Sequence, residues 1–354
     1  MDDIDLDILR WMFPGGVWLL SGTDPRITPA EIASHVGLDR SSVWDRIRKW
    51  RREGFWNGYE VKVNVAVFGV GVFVAQIEVE DAAEGWTLME QLEQVDGVLA
   101  ADLIFGDSAT TRDVELVVAF FVADDPELIE RRLRFIRQLP QARNVIGPIR
   151  WKIPPCPRKL TPLDWRILSC IVANPNAPVA RVARLVGVTL KTFDHHFSRL
   201  MDDKVMAYYP KIDWAKLGCL GLIIYCRGQR DVDRVHRALE SRFPHSIMVS
   251  LDGMDGVGLD YDPSRCFEVI VPAHSPNNIQ TLVHELSQVP GVRQVRPELE
   301  GPVRVFNGWI KQRIAEQLTS RSDSGPAFST RAAGVHGRAK RPPERQEQLV
   351  LASP

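Results

Sequence analysis

Residues 39–52 hold Arg40, Arg46, Arg48, Lys49, Arg51 and Arg52, opposed by Asp39 and Asp45 alone. That is a local excess of four positive charges in a chain with 44 basic and 45 acidic residues overall. Guanidinium and ammonium groups at this density suit polyanions. Arginine can also bond guanine with two hydrogen bonds at once. At about 100° per residue on a helix, Val43, Ile47 and Trp50 gather on one face. Asp45, Lys49 and Arg52 fall opposite, at about 200°, 240° and 180° from Val43, with Ser41, Ser42 and Arg48 flanking them. Short polar side chains at the helix start can reach base edges while the cations grip phosphates. The DNA-facing candidates are therefore Arg40, Ser41, Ser42, Asp45, Arg46, Arg48, Lys49 and Arg52. A solvated charged face is the bland alternative, and the choice depends on what surrounds the helix.

The surroundings favour DNA. Ile4, Ile8 and Leu9 have helical spacing, and Ile32, Ala33 and Val36 form a second stripe that Gly37 stops. Ser41 and Ser42 stand where a third helix would be capped. Helix, glycine turn and helix make a helix-turn-helix pattern, and "EGFWNGY" after it could form a wing. The near-zero net charge does not exclude nucleic acid, because counterion release depends on the charges that face the phosphates.

The pattern occurs twice. Asp5, Ile8 and Leu9 align with Asp164, Ile167 and Leu168. Ala33, Val36 and Gly37 align with Ala183, Val186 and Gly187, and Ser42 with Thr192. This order of small, apolar and turn residues reads as a tandem duplication, with about nine extra residues around "FPGGVWLLSGTDP" in the first copy. The second copy differs in charge. "TLKTFDHHFSRLMDDK" sets Lys191, Arg199 and Lys204 against Asp194, Asp202 and Asp203, leaving no excess. His195 and His196 are adjacent and would point about 100° apart on a helix, which suits a solvated pair better than a metal site.

After each helical trio, runs rich in β-branched residues alternate with amphipathic stretches in the order β-α-β-β-α-β. The expected fold is α+β: two copies of a winged helix-turn-helix followed by a ferredoxin-like unit. The expected boundaries are 1–62 and 63–153, then 154–212 and 213–318, with a disordered tail at 319–354. Five cysteines without a C-x-x-C pair argue for thiols in a reducing compartment, with neither a zinc site nor a disulfide framework. No apolar run approaches the roughly 20 residues of a membrane span. The acidic start "MDDIDLDIL" does not read as a secretory signal, so a cytoplasmic location is expected. G-x-S-x-G, H-E-x-x-H and P-loop motifs are absent. The expectation is a non-enzyme with no cofactor and no metal.

"MDDIDLDIL", "LTPLDWRIL" and "EIASHVGLDRSSVWDRIRKWRREGFWNGY" resemble the opening helix, helix-turn-helix and wing of the Lrp/AsnC transcription regulators. The β-α-β-β-α-β units resemble that family's ACT-like effector domain. The resemblance covers roughly residues 1–310, as two copies where the family normally has one. It implies double-stranded DNA as partner, a homodimer or higher oligomer, and an amino-acid-like effector. The effector would bind at glycine–aspartate turns, here Gly106, Asp107 and Asp113, and Gly253, Asp255 and Asp260; an ordinary β-turn explains the same residues. Two other readings remain open. One is an enzyme like the siroheme decarboxylases, which resemble the same paired architecture. The other is a ligand-sensing adaptor with vestigial DNA heads.

Overall fold

Capping residues and glycines set the limits of the first three helices. α1 spans Asp3–Met12. α2 (Pro29–Val36) opens on a capping box: Thr28 Oγ1 accepts from the Glu31 N–H at 3.2 Å, and the Glu31 carboxylate accepts from the Thr28 N–H at 2.6 Å. Gly37 closes it at φ 70°, a left-handed conformation in which a Cβ is costly. α3 (Arg40–Glu53) is capped by Asp39, and this corrects the expectation of a serine cap. Asp39 is extended and its carboxylate accepts from the Ser42 N–H at 2.9 Å, so Ser41 and Ser42 fall inside the first turn. Ile32, Ala33, Val43, Ile47 and Trp50 are buried with Leu6, Ile8, Leu9 and Met12. The second trio is α6 (Pro162–Ala173), α7 (Val179–Leu185) and α8 (Leu190–Asp202), with Thr161 and Thr189 capping α6 and α8.

The structure, a computed structural model, describes residues 2–12, 27–105, 115–151, 153–156, 159–213, 216, 219–242, 247–250, 265–272, 276–300 and 303–322. The extra stretch quoted from the first copy, residues 13–25, lies outside them.

The segment read as a wing behaves differently from a local hairpin. β1 (Trp56–Val63) pairs antiparallel with β6 (Met206–Ile212) of the other trio, with Glu60 opposite Tyr209 and Val63 opposite Met206. Tyr59 donates its N–H to Asn176 Oδ1 at 2.8 Å and accepts from Asn176 Nδ2 at 3.2 Å. The buried Asn64 donates to the carbonyls of Pro154 and Lys204, at 2.9 and 3.0 Å. These bonds join the two helical trios within one chain.

Two β-α-β-β-α-β runs follow. The first is β2 (Gly71–Val79), α4 (Ala82–Leu92), β3 (Val98–Phe105), β4 (Glu115–Ala123), α5 (Pro126–Arg137) and β5 (Asn144–Trp151). The second is β7 (Cys219–Cys226), the helix Gln229–Arg242, β8 (Ile247–Ser250), β9 (Cys266–Pro272), the helix Pro276–Ser287 and β10 (Val292–Glu300). Their strands form one continuous sheet in the order β5-β2-β4-β3-β10-β7-β9-β8, joined where Leu299 and Glu300 pair with Phe105 and Ile104. β11 (Arg304–Val305) adds to β3. In the first run, Ala75, Ile77, Val117 and Phe121 pack under α4 and α5 with Leu88, Leu92, Leu133 and Ile136. The other face, with Val72, Val74, Val122 and Trp151, joins the core of the helical trios.

The helix Gly308–Ser322 was not expected, and it runs past residue 319, where disorder was expected to begin. Trp309, Ile310 and Ile314 are buried against the helical core, and that burial carries the helix beyond the second β-α-β-β-α-β run. Among the described residues no helix is long and apolar enough to cross a membrane.

Candidate nucleic-acid interface

The eight residues singled out on α3 have different environments. Arg40, Lys49 and Arg52 are exposed, with no ion pair among the described residues. Arg48 is exposed and pairs with Asp45 at 2.5 Å, while its guanidinium lies 5.6 Å from the Trp44 ring centre. Both members are more than half exposed, so the pair contributes little stability and can open for another anion. Ser41 and Ser42 turn their hydroxyls toward Asp39; Ser42 Oγ donates at 2.6 Å, and Ser41 Oγ bonds the same carboxylate. Those bonds, with the Ser42 N–H, hold the Asp39 carboxyl well below the usual carboxylate range.

Arg46 is directed elsewhere. Its Nη1 donates to Asp2 at 2.8 Å and to Asp5 at 2.7 Å, fastening α3 to α1. Burial works against its charge, but the hydrogen bonds to Asp5 and Asp2 outweigh it and raise its pKa. Arg51, which was counted in the cationic run, is half-buried, 5.2 Å from the Trp56 ring centre. Burial lowers its pKa. The ridge open to an anion is therefore Arg40, Arg48, Lys49 and Arg52.

The second trio repeats the fastening with different chemistry. Asp164, aligned with Asp5, is fully buried and bonds His196 Nδ1 at 2.6 Å, with Arg199 3.6 Å away. Burial would raise the Asp164 carboxyl, but hydrogen bonds from His196 and Thr161 overcome it and draw its pKa down. His196 is thus a structural partner to Asp164. His195 is exposed, its ring centre 5.7 Å from that of His196. Leu185 and Leu190 are 65% and 38% exposed around the start of α8. Two exposed cations that the charge count on α8 left out, Arg181 and Arg184, sit on α7. Reading α7 together with α8 would have found them.

Among the described residues, no group of three or more His, Cys, Asp or Glu side chains could hold a metal ion. The buried Cys226 thiol is pushed up to about 11, chiefly by burial, and keeps its proton at neutral pH. Gly106, Asp107, Asp113, Gly253, Asp255 and Asp260 lie outside the described residues.

Fold and surface together define a chain with two winged helix-turn-helix units. The family model for winged helix-turn-helix DNA-binding domains matches it twice, over residues 19–55 and 160–205. No curated protein matches the sequence. Among solved structures, the siroheme decarboxylase NirDL in complex with an iron-uroporphyrin III analogue is 12% identical, with a TM-score of 0.47, over 90% of this chain and 99% of that one. AsnC of E. coli is 16% identical, with a TM-score of 0.29, over 41% of this chain and 93% of that one. The leucine response regulatory protein LrpA of Mycobacterium tuberculosis is 24% identical, with a TM-score of 0.27, over 41% and 87%. The first of these corrects the expectation of a non-enzyme: a solved structure that is similar along nine-tenths of this chain is that of an enzyme. At these identities and TM-scores the likeness assigns no activity to this chain.

Proposed function

We propose that this protein is a sequence-specific DNA-binding transcription regulator of the Lrp/AsnC type. In this reading, residues 1–62 form the reading head and residues 154–212 a second head. Residues 63–153 and 213–318 form paired effector domains, duplicated in one polypeptide. One observation carries it: Arg40, Arg48, Lys49 and Arg52 stand in solvent along α3, inside a stretch matched by the winged helix-turn-helix DNA-binding model. Ser41 and Ser42 occupy the first turn of that helix, where base edges are reached.

The β1–β6 pairing bears on how many chains an operator needs. Two heads are already joined in one chain through the β1–β6 ladder, so a monomer presents both heads to an operator. The heads are unequal: the first offers a cationic recognition helix, while the second offers Lys191 on α8 and Arg181 and Arg184 on α7. The operator of such a chain is asymmetric, with base readout on one side and backbone anchoring on the other. A small effector held by Gly106, Asp107 and Asp113 and by Gly253, Asp255 and Asp260 belongs to the same proposal.

Fluorescence anisotropy against duplex DNA from the gene's own upstream region tests the reading. Wild type should bind, and Arg48→Ala/Lys49→Ala/Arg52→Ala should lose at least roughly tenfold in affinity. Equal binding by both proteins overturns the proposal.

A further inference from the structure

α4 and α5 pack on the same face of the first sheet, and their outer faces carry opposite charge. The stretch 82–95, which contains α4, holds Glu84, Glu90 and Glu93 and no basic residue. The second half of α5, residues 131–137, holds Arg131, Arg132, Arg134 and Arg137 and no acidic residue. Arg132 turns inward, where its Nε donates to the Asp96 carbonyl at 2.9 Å. The others face out. Trp86, Glu90 and Glu93 fall within about 60° of one another around α4, and all three are exposed. Arg131, Arg134, Phe135 and Gln138 fall within about 100° around α5, and all four are exposed.

Each stripe includes an open aromatic ring. Trp86 is 36% and Phe135 49% exposed; among the described residues, the other large hydrophobic side chains this open are Leu185 and Leu190 on the second head. A lone exposed apolar residue needs no partner. A ring set among charges of one sign has the make-up of an interface centre, where aromatic residues and arginine are enriched. Arg131, Arg134 and Glu93 have no ion pair among the described residues. Glu90 meets Arg304 at 3.7 Å, and the Arg304 guanidinium lies 5.1 Å from the Trp86 ring centre. That contact shows how the α4 stripe receives a guanidinium, and an exposed pair of this kind is weak enough to exchange.

We propose that these stripes bind a second copy of this chain, with α4 of each copy against α5 of the other. Charge selects the arrangement. α5 on α5 would set arginine against arginine, and α4 on α4 would set glutamate against glutamate. Only α4 on α5 sets Glu90 and Glu93 against Arg131 and Arg134. A two-fold axis makes both contacts at once and closes the assembly at two chains. The helices are about 16 and 18 Å long, so the contact is small and the dimer assembles in the micromolar range. The DNA reading plays no part in this argument.

The test is sedimentation velocity on the full chain without DNA, across the micromolar range. Wild type should pass from monomer to dimer, and added salt should weaken the dimer. Glu90→Arg/Glu93→Arg alone and Arg131→Glu/Arg134→Glu alone should stay monomeric. An equimolar mixture of the two should dimerise again, because each reversed stripe then meets its complement; the recovery also shows that both variants fold. Phe135→Ser, a single surface change, should weaken the wild-type dimer roughly tenfold and keeps the proposal testable if a reversed variant fails to fold. The proposal is overturned by a wild type that stays monomeric at low salt, by a dimer that survives both charge reversals, by a mixture of folded variants that stays monomeric, or by a mass that climbs past the dimer. It is also overturned if Arg131→Glu/Arg134→Glu loses affinity for duplex DNA with no change in mass, which would assign the α5 stripe to phosphate.

Discussion

Removing the Arg46 guanidinium should damage stability and leave DNA binding nearly untouched, although Arg46 sits in the middle of the cationic run. Its side chain is 27% exposed, and that of its partner Asp5 is 9% exposed. An exposed ion pair is worth about 0.2–1 kcal/mol, and breaking a fully buried one costs about 3–5 kcal/mol. Arg46–Asp5 lies between these limits, and Arg46→Ala strands a nearly buried carboxylate. The second partner, Asp2, is 55% exposed and adds little. The expected cost is about 2 kcal/mol. Lys49→Ala leaves no partner behind and should stay within about 0.5 kcal/mol of wild type. Urea denaturation followed by tryptophan fluorescence reads the first quantity, and anisotropy with the same duplex, at a temperature where both variants are folded, reads the second. The reasoning fails if Arg46→Ala is as stable as wild type and loses DNA affinity as Lys49→Ala does; Arg46 would then be reaching phosphate instead of holding α1.

Two further outcomes follow from the same contacts. The Asp164 carboxyl is held below its ordinary value, so its contribution is fully present above an unfolded pKa of about 3.9 and fades as pH falls through the folded value. Urea midpoints should therefore drop for wild type between neutral pH and the region below about pH 4, and Asp164→Asn, already less stable at pH 7, should drop less over that interval. Gly37 sits at φ 70° with open space where a Cβ would stand, so Gly37→Ala should cost about 1–2 kcal/mol from backbone strain alone, read by the same denaturation.

Local patterns were the legible part of the fold. Apolar spacing placed α2 and α3, and runs rich in β-branched residues placed the strands of the two β-α-β-β-α-β runs in order, because each depends on neighbours in sequence. The fate of Arg46 was also within reach: it lies at about 300° from Val43, close to Trp50 at about 340°, and so beside the buried face. Counting charge by type hid that position. The serine cap was misplaced because Asp39, Ser41 and Ser42 are all good caps, and only backbone conformation chooses among them. Pairing of β1 with β6 joins residues some 150 positions apart, and no local pattern encodes such a partner. The helix Gly308–Ser322 shows its stripe at Ile310, Ile314 and Leu318, yet its burial depends on the core of the helical trios, far back in sequence. The exposed arginines of α7 lie outside the stretch of α8, so the charge balance of that helix alone does not contain them.

The proposed contact of α3 with phosphate through Lys49 and Arg52 is measured most directly by the salt dependence of DNA affinity. The slope of log K against log salt should be shallower by about 2 in Lys49→Ala/Arg52→Ala than in wild type, close to 0.9 for each lost phosphate contact. An identical slope in the two proteins, at matched DNA and temperature, would mean that neither cation faces the duplex.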